Sequence, residues 1–213
     1  MLSCRDTVER LTRLCRAAGV RSQDRLLGPD ATVGRVREAI TDAVSRIGPD
    51  GLFVLTFSGH SERAVPGEHL GGWCLRDGVL RHTQIAELLA AVSSSAHIVV
   101  IAETCYAAAF ANVFAAVPAT TVLLAACAEN QATLNLPQSE FVAALERLTF
   151  PDGSANPQCV SYAWLRRELR KDTPDVERPD IRANRPNALR QHPFQSPSAQ
   201  VATRGRPHVA MRL

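Results

Sequence analysis

Two apolar runs, each stopping at a reactive side chain, constrain this chain most. One is Leu52-Phe53-Val54-Leu55-Thr56-Phe57-Ser58-Gly59-His60 and the other is Ile98-Val99-Val100-Ile101-Ala102-Glu103-Thr104-Cys105. Neither run alternates apolar with polar residues, as a strand with one wet face would, so each reads as a strand buried on both sides. Open α/β sheets carry their reactive groups at the carboxyl ends of parallel strands. Two such strands side by side would bring His60 and Cys105 to one edge. Imidazole beside a thiol is the minimal apparatus of nucleophilic catalysis, because it can take the thiol proton.

With 213 residues, 46% of them hydrophobic, the chain can bury a substantial core. The formal charge is only +3, and Lys171 is the sole lysine. No lysine-rich run or interleaved aromatic stripe suggests a nucleic-acid surface. No apolar stretch is long and uninterrupted enough to span a bilayer. Cys4, Cys15, Cys74, Cys105, Cys127 and Cys159 include no CxxC pair and follow no signal peptide. That pattern fits a reduced cytoplasmic protein and argues against structural zinc.

Helical spacing predicts amphipathic helices over 5–18, with Gly19 as its stop, and 33–47, opened by Thr32. Gly48-Pro49-Asp50-Gly51 is a turn into the first reactive strand. Residues 61–82 read as a surface loop with a short hairpin at Trp73-Cys74-Leu75, and a helix starts near Thr83. A small-residue helix runs from Tyr106 to Phe114, and a third apolar strand from Thr120 to Ala126. Helices follow at 139–148, with Ser139 as N-cap, and at 161–171. Strands alternating with helices predict an α/β protein, a mostly parallel sheet covered on both faces. The expected division is a domain over 1–171 and a Pro/Arg-rich tail over 172–213, with a last strand near Val209.

Each reactive residue has an ordinary reading as well. A histidine after a strand can be solvated, and a free cysteine is a common core residue. Their joint placement at two strand ends favours chemistry. A helix beginning just after Cys105 would lower its thiol pKa, and the N–H groups of Cys105 and of a residue near His60 would form an oxyanion hole.

Phe57-Ser58-Gly59-His60 followed by Glu103-Thr104-Cys105 resembles the base and nucleophile motifs of caspase-type cysteine peptidases, in their bacterial metacaspase-like branch. Trp73-Cys74-Leu75-Arg76-Asp77-Gly78, Ala125-Ala126-Cys127-Ala128-Glu129-Asn130-Gln131, Leu2-Ser3-Cys4-Arg5-Asp6 and Gln191-His192-Pro193 are similar to further stretches of that branch. Three positions depart from it. Ser61 replaces the glycine after the base, Glu103 the aspartate two before the nucleophile, and Tyr106-Ala107-Ala108 the His-Ser-Gly after it.

The resemblance implies a three-layer α/β/α sandwich and a cofactor-free, metal-free cysteine endopeptidase acting on polypeptides, with a regulatory protein as a further partner. Cys105 would attack, His60 would support the thiolate and protonate the leaving amine, and Glu103 would hold a substrate Arg or Lys. Ser61 and Glu129 complete the substrate-binding candidates, a plain surface role being the alternative for Glu129. Cys127, His69, His82, His97, His192 and His208 read as packing or surface residues, and Asp77 as a turn residue. The rival readings are a weak or inactive homologue serving as a binding module, which Ser61 and Tyr106-Ala107-Ala108 favour, and a flavodoxin-like domain, which the lack of a glycine-rich phosphate loop opposes.

The resemblance carries two more expectations. In that fold the first strand lies mid-sheet and precedes the first helix, and the expectation here is that this strand is missing. A gap beside strand 52–58 would follow, pointing to an upstream start or a damaged paralogue. From His82 to Glu146 there is no Arg or Lys. An enzyme selecting basic residues could not cut itself there, so it would work as an uncut chain.

Overall fold

The computed structural model describes residues 2–133, 139–156, 158–173, 178–195 and 208–212. Its helices are α1 (Leu2–Ala17), α2 (Val33–Ser45), α3 (His82–Leu89), α4 (Glu140–Thr149) and α5 (Tyr162–Asp172). Its strands are β1 (Ser22–Arg25), β2 (Leu52–Ser58), β3 (Ser61–Glu62), β4 (Gly72–Leu75), β5 (Gly78–Arg81), β6 (His97–Glu103), β7 (Thr120–Ala125), β8 (Asp180–Ala183) and β9 (His208–Arg212). The main sheet is six-stranded, in the order β1-β9-β2-β6-β7-β8, and β3-β4-β5 form a small separate sheet. All neighbours in the main sheet are parallel except the β7–β8 pair.

Each strand feeds both faces, because successive side chains point to opposite sides. Phe53, Leu55, Phe57, Ile98, Val100 and Ala102 pack with α2 and α3. Leu52, Val54, Val99 and Ile101 pack on the other face with α1, α4 and α5. The protein is therefore a three-layer α/β/α sandwich, as the alternation predicts. Burial of each such aliphatic side chain is worth roughly 1.5–3 kcal/mol, which is why β2 and β6 need no polar face.

The local signals act as expected. Gly19 at φ 79° ends α1, with Val20 N–H on the Cys15 carbonyl and Gly19 N–H on that of Arg16. Thr32, Ser139 and Ser161 cap α2, α4 and α5 by accepting from Arg35, Val142 and Trp164 N–H. Asp77, at the β4–β5 turn, accepts the Val33 N–H at 2.7 Å, tying the hairpin to the start of α2.

Three expectations change. The slot beside β2 is not empty: β9, from the far end of the chain, lies between β1 and β2 and is parallel to both. The buried backbone groups of β2 therefore find partners on both sides, as they must. Second, the stretch beyond 171 supplies not only the last strand expected near Val209, which is β9, but also β8 to the main sheet. Third, the segment after Cys105 is a 3₁₀ helix, Ala107–Ala116, preceded by Tyr106 at φ 55° in the left-handed region.

Candidate active site

The β2–β6 register pairs Leu52 with His97 through to Ser58 with Glu103. His60 and Cys105 each lie two residues beyond that last pair, so both leave the same carboxyl edge on adjacent strands. Gly59 N–H continues the ladder to the Glu103 carbonyl at 3.2 Å. A side chain at position 59 would meet the Phe57 ring at 3.1 Å, so the close approach calls for glycine. The His60 carbonyl accepts from Cys74 N–H at 2.9 Å, which hangs the residue on β4. His60 is exposed and Cys105 is half-buried.

The thiol has a partner other than the expected base. Cys105 Sγ lies 3.6 Å from the Thr133 hydroxyl. Among the described residues no hydrogen bond joins Cys105 to His60. The structure brings the two residues to one edge without a hydrogen bond between imidazole and sulfur.

Ser61 takes the place of the motif's glycine without backbone strain. Its φ is not positive, so a side chain carries no penalty there. Its hydroxyl donates to the Cys105 carbonyl, bridging the two reactive segments. Because Cys74 N–H meets the His60 carbonyl, the next pair, Ser61 with Trp73, is a non-hydrogen-bonded pair. The Ser61 N–H is thereby turned away from β4.

A helix N-terminus does not serve Cys105. Tyr106 N–H donates to the Gln131 carbonyl at 2.8 Å and Ala108 N–H to the Cys127 carbonyl at 3.1 Å. These bonds take the donors that an α-helix would have left free. Cys127, read as a packing residue, is buried, and its thiol contacts the Gln131 carbonyl at 3.0 Å and that of Thr104 at 3.4 Å. Sequence reasoning missed Thr133 and the Gln131 carbonyl. Thr133 carries no local motif, and Gln131, though it closes the Ala125–Gln131 stretch, reaches Tyr106 only through the fold beyond β7.

The two carboxylate candidates separate. Glu103 is half-buried and accepts from the Ser58 hydroxyl. Glu129 pairs with Arg182 at 3.0 Å near the surface. His82 is buried in an aromatic group: Phe57 stacks on Trp73 at 4.5 Å, and Phe110 meets Trp73 at 5.5 Å and His82 at 5.0 Å. Burial holds the His82 imidazole down at about 4. Its Nδ1 donates to the Leu70 carbonyl at 2.9 Å, which fixes the proton on that nitrogen. Burial likewise lowers His97 and raises the Cys74 thiol.

A cleft of about 690 Å³ between α1 and α4 is lined by Arg10, Arg13, Glu146 and Arg147. It offers no comparable chemistry. Burial disfavours the Glu146 charge, yet the hydrogen bonds of Arg13 and Arg10 outweigh it and hold that carboxyl below its ordinary value. Among the described residues no group of His, Cys, Asp and Glu could hold a metal ion, and no helix is long and apolar enough to cross a membrane.

No protein-family model matches the chain, and no curated protein matches it. Among solved structures it is similar to protein GSU0716 from Geobacter sulfurreducens, with a TM-score of 0.73 over 91% of this chain and 89% of that one, at 20% identity. At that identity the likeness is one of fold.

Proposed function

We propose that this protein is a cysteine endopeptidase of the caspase type that cleaves after Arg or Lys. The observation that carries the reading is the register of β2 on β6, which sends His60 and Cys105 off one sheet edge from hydrogen-bonded parallel strands. Cys105 attacks the scissile carbonyl as the thiolate. His60, on its exposed loop, turns toward the sulfur when substrate enters, takes the proton and returns it to the leaving amine. The Cys105 N–H and the Ser61 N–H, which faces away from β4, stabilise the oxyanion. Glu103, oriented by Ser58, receives the basic side chain. A set of six cysteines without a CxxC pair supports a reducing, cytoplasmic setting.

The test is incubation with a peptidyl-arginine chloromethyl ketone, followed by mass spectrometry of the adduct. The expected result is one adduct, on Cys105, lost in Cys105→Ala and formed more slowly in Glu103→Gln. No adduct on Cys105 under any activating condition would instead support a binding module without peptidase activity.

A further inference from the structure

Among the described residues, the side-chain hydrogen-bond partner of the Cys105 sulfur comes from neither reactive motif. We propose that Thr133 is the thiolate partner of Cys105: its hydroxyl donates to the sulfur and favours the ionised nucleophile. This inference rests on the assignment of Cys105 as nucleophile, and it does not require that peptide bonds be the substrate.

The distance is 3.6 Å between Sγ and Oγ1, within reach of an O–H donor to sulfur. A threonine hydroxyl has one proton to give, and a thiolate is the better acceptor of it, because bonds to ionised groups are the stronger ones. The loop that carries Thr133 is fastened to the nucleophile's own segment. Gln131 accepts the Tyr106 N–H through its carbonyl at 2.8 Å, and its side-chain oxygen accepts the Arg178 N–H at 3.3 Å. Ala108 N–H reaches the Cys127 carbonyl at 3.1 Å, and the Cys127 thiol spans Thr104 and Gln131. Thr133 is therefore held against the sulfur by bonds that do not involve its own side chain. Tyr106 adds to this, since its left-handed backbone is kept in place by the Gln131 bond.

The titratable and charged groups on the surrounding segments are His60 after β2, Glu103 and Tyr106 on the nucleophile strand and loop, and Glu129 on the 127–133 loop. Arg178 and Arg182 lie beside that loop, and Arg182 is already paired with Glu129. Thr133 is uncharged and so acts by hydrogen bonding alone, which makes it separable from all of these.

The experiment is the pH profile of Cys105 alkylation by iodoacetamide on the full chain. It is read on the 104–129 fragment that cleavage after Glu103 and Glu129 releases. Fragmentation within it tells Cys105 from buried Cys127. Thr133→Val keeps the side-chain shape and removes the hydroxyl; Thr133→Ser restores a hydroxyl. In Thr133→Val the midpoint of the profile should move up by about one pH unit. The high-pH limiting rate should be kept or slightly raised, since a more basic thiolate is a better nucleophile. Thr133→Ser should track the parent. The shift should persist in a His60→Ala background. An unmoved midpoint in Thr133→Val, or one that falls, overturns the proposal. A shifted midpoint in a protein that cleaves no peptide would leave it standing and remove the peptidase reading instead.

Discussion

The two reactive segments leave the same sheet edge but are held differently. The Cys105 segment is bonded from three sides: Ser61 reaches its carbonyl, Cys127 and Gln131 brace Thr104 and Tyr106, and Thr133 sits on the sulfur. The His60 segment is held through its main chain, by Gly59 to Glu103 and by His60 to Cys74, with an exposed ring. Cys105 is fixed by tertiary contacts, and His60 hangs on a hairpin that rests on Trp73. On the proposed peptidase reading, pre-organisation is concentrated on the attacking atom, and the proton carrier keeps freedom to move.

The largest effects should come from removing the reactive groups themselves. Cys105→Ala should abolish cleavage of arginyl peptides. His60→Ala should lower kcat/KM by about 10²–10⁴, the usual worth of a positioned acid–base group. Neither should shift the melting midpoint much, because one residue is exposed and the other only half-buried. A melt that collapses in His60→Ala would show that the ring supports the fold, contrary to its loose attachment.

Trp73 tests whether the base side can be disturbed alone. It is fully buried, stacked between Phe57 and Phe110, and its indole N–H has no partner among the described residues. Trp73→Ala should cost about 3–5 kcal/mol in urea unfolding. Trp73→Phe should cost about 1 kcal/mol or less, since it keeps an aromatic ring and removes an unpaired buried donor. In the folded fraction of Trp73→Ala, alkylation of Cys105 should survive while cleavage falls, because the hairpin that carries His60 loses its support. Equal loss of both would erase the distinction between the two segments.

How much of this was legible in the sequence follows from how local each signal is. Strands β2, β6 and β7 declare themselves because each is apolar throughout, and the caps of α2, α4 and α5 because Thr32, Ser139 and Ser161 act within three residues. The two reactive residues were legible for the same reason, as the polar stops of apolar runs. β8 was not, since Asp180–Ala183 is short and polar-rich; a last strand near Val209 was legible, but its place between β1 and β2 was not, because that depends on neighbours already formed. Position 106 looked like the start of an α-helix because alanines follow it. Tertiary bonds to Gln131 and Cys127 instead fix a left-handed residue and a 3₁₀ turn there. Thr133 carries no pattern at all, because Cys105 lies 28 residues away, and nothing local to Gln131 shows its bond to Tyr106.

Acid should weaken the base side through His82. Its folded value, about 4, lies below the ordinary 6.5, so the unfolded chain binds the extra proton first. Stability from this group is complete above about pH 6.5 and is lost as pH falls toward 4, amounting in full to about 3 kcal/mol. Urea unfolding at intervals between pH 7 and 4 should show that slope, reduced in His82→Gln. His97, lowered in the same direction by burial, adds to the parent's slope and remains in the variant. An equal slope in both proteins would mean that protonation of His82 is not what acid does.

Ser61 joins the two segments at the nucleophile itself, and it should give the smallest and most telling effect. Its bond to the Cys105 carbonyl is a neutral, partly buried one, worth about 1 kcal/mol. Ser61→Ala leaves the backbone free to keep its strand conformation, so the loss should be near that value in stability. Ser61→Gly removes the same bond and adds backbone freedom, so it should cost about 0.5–1 kcal/mol more. The contrast with a required positive φ is sharp: if this position were strained, glycine would be the more stable variant. The effect on chemistry should fall on registration between the segments. kcat for peptide cleavage should drop several-fold in Ser61→Ala, while the pH midpoint of Cys105 alkylation stays where Thr133 sets it. If that midpoint moved with Ser61, the carbonyl bond would be tuning the thiol rather than aligning it with the base.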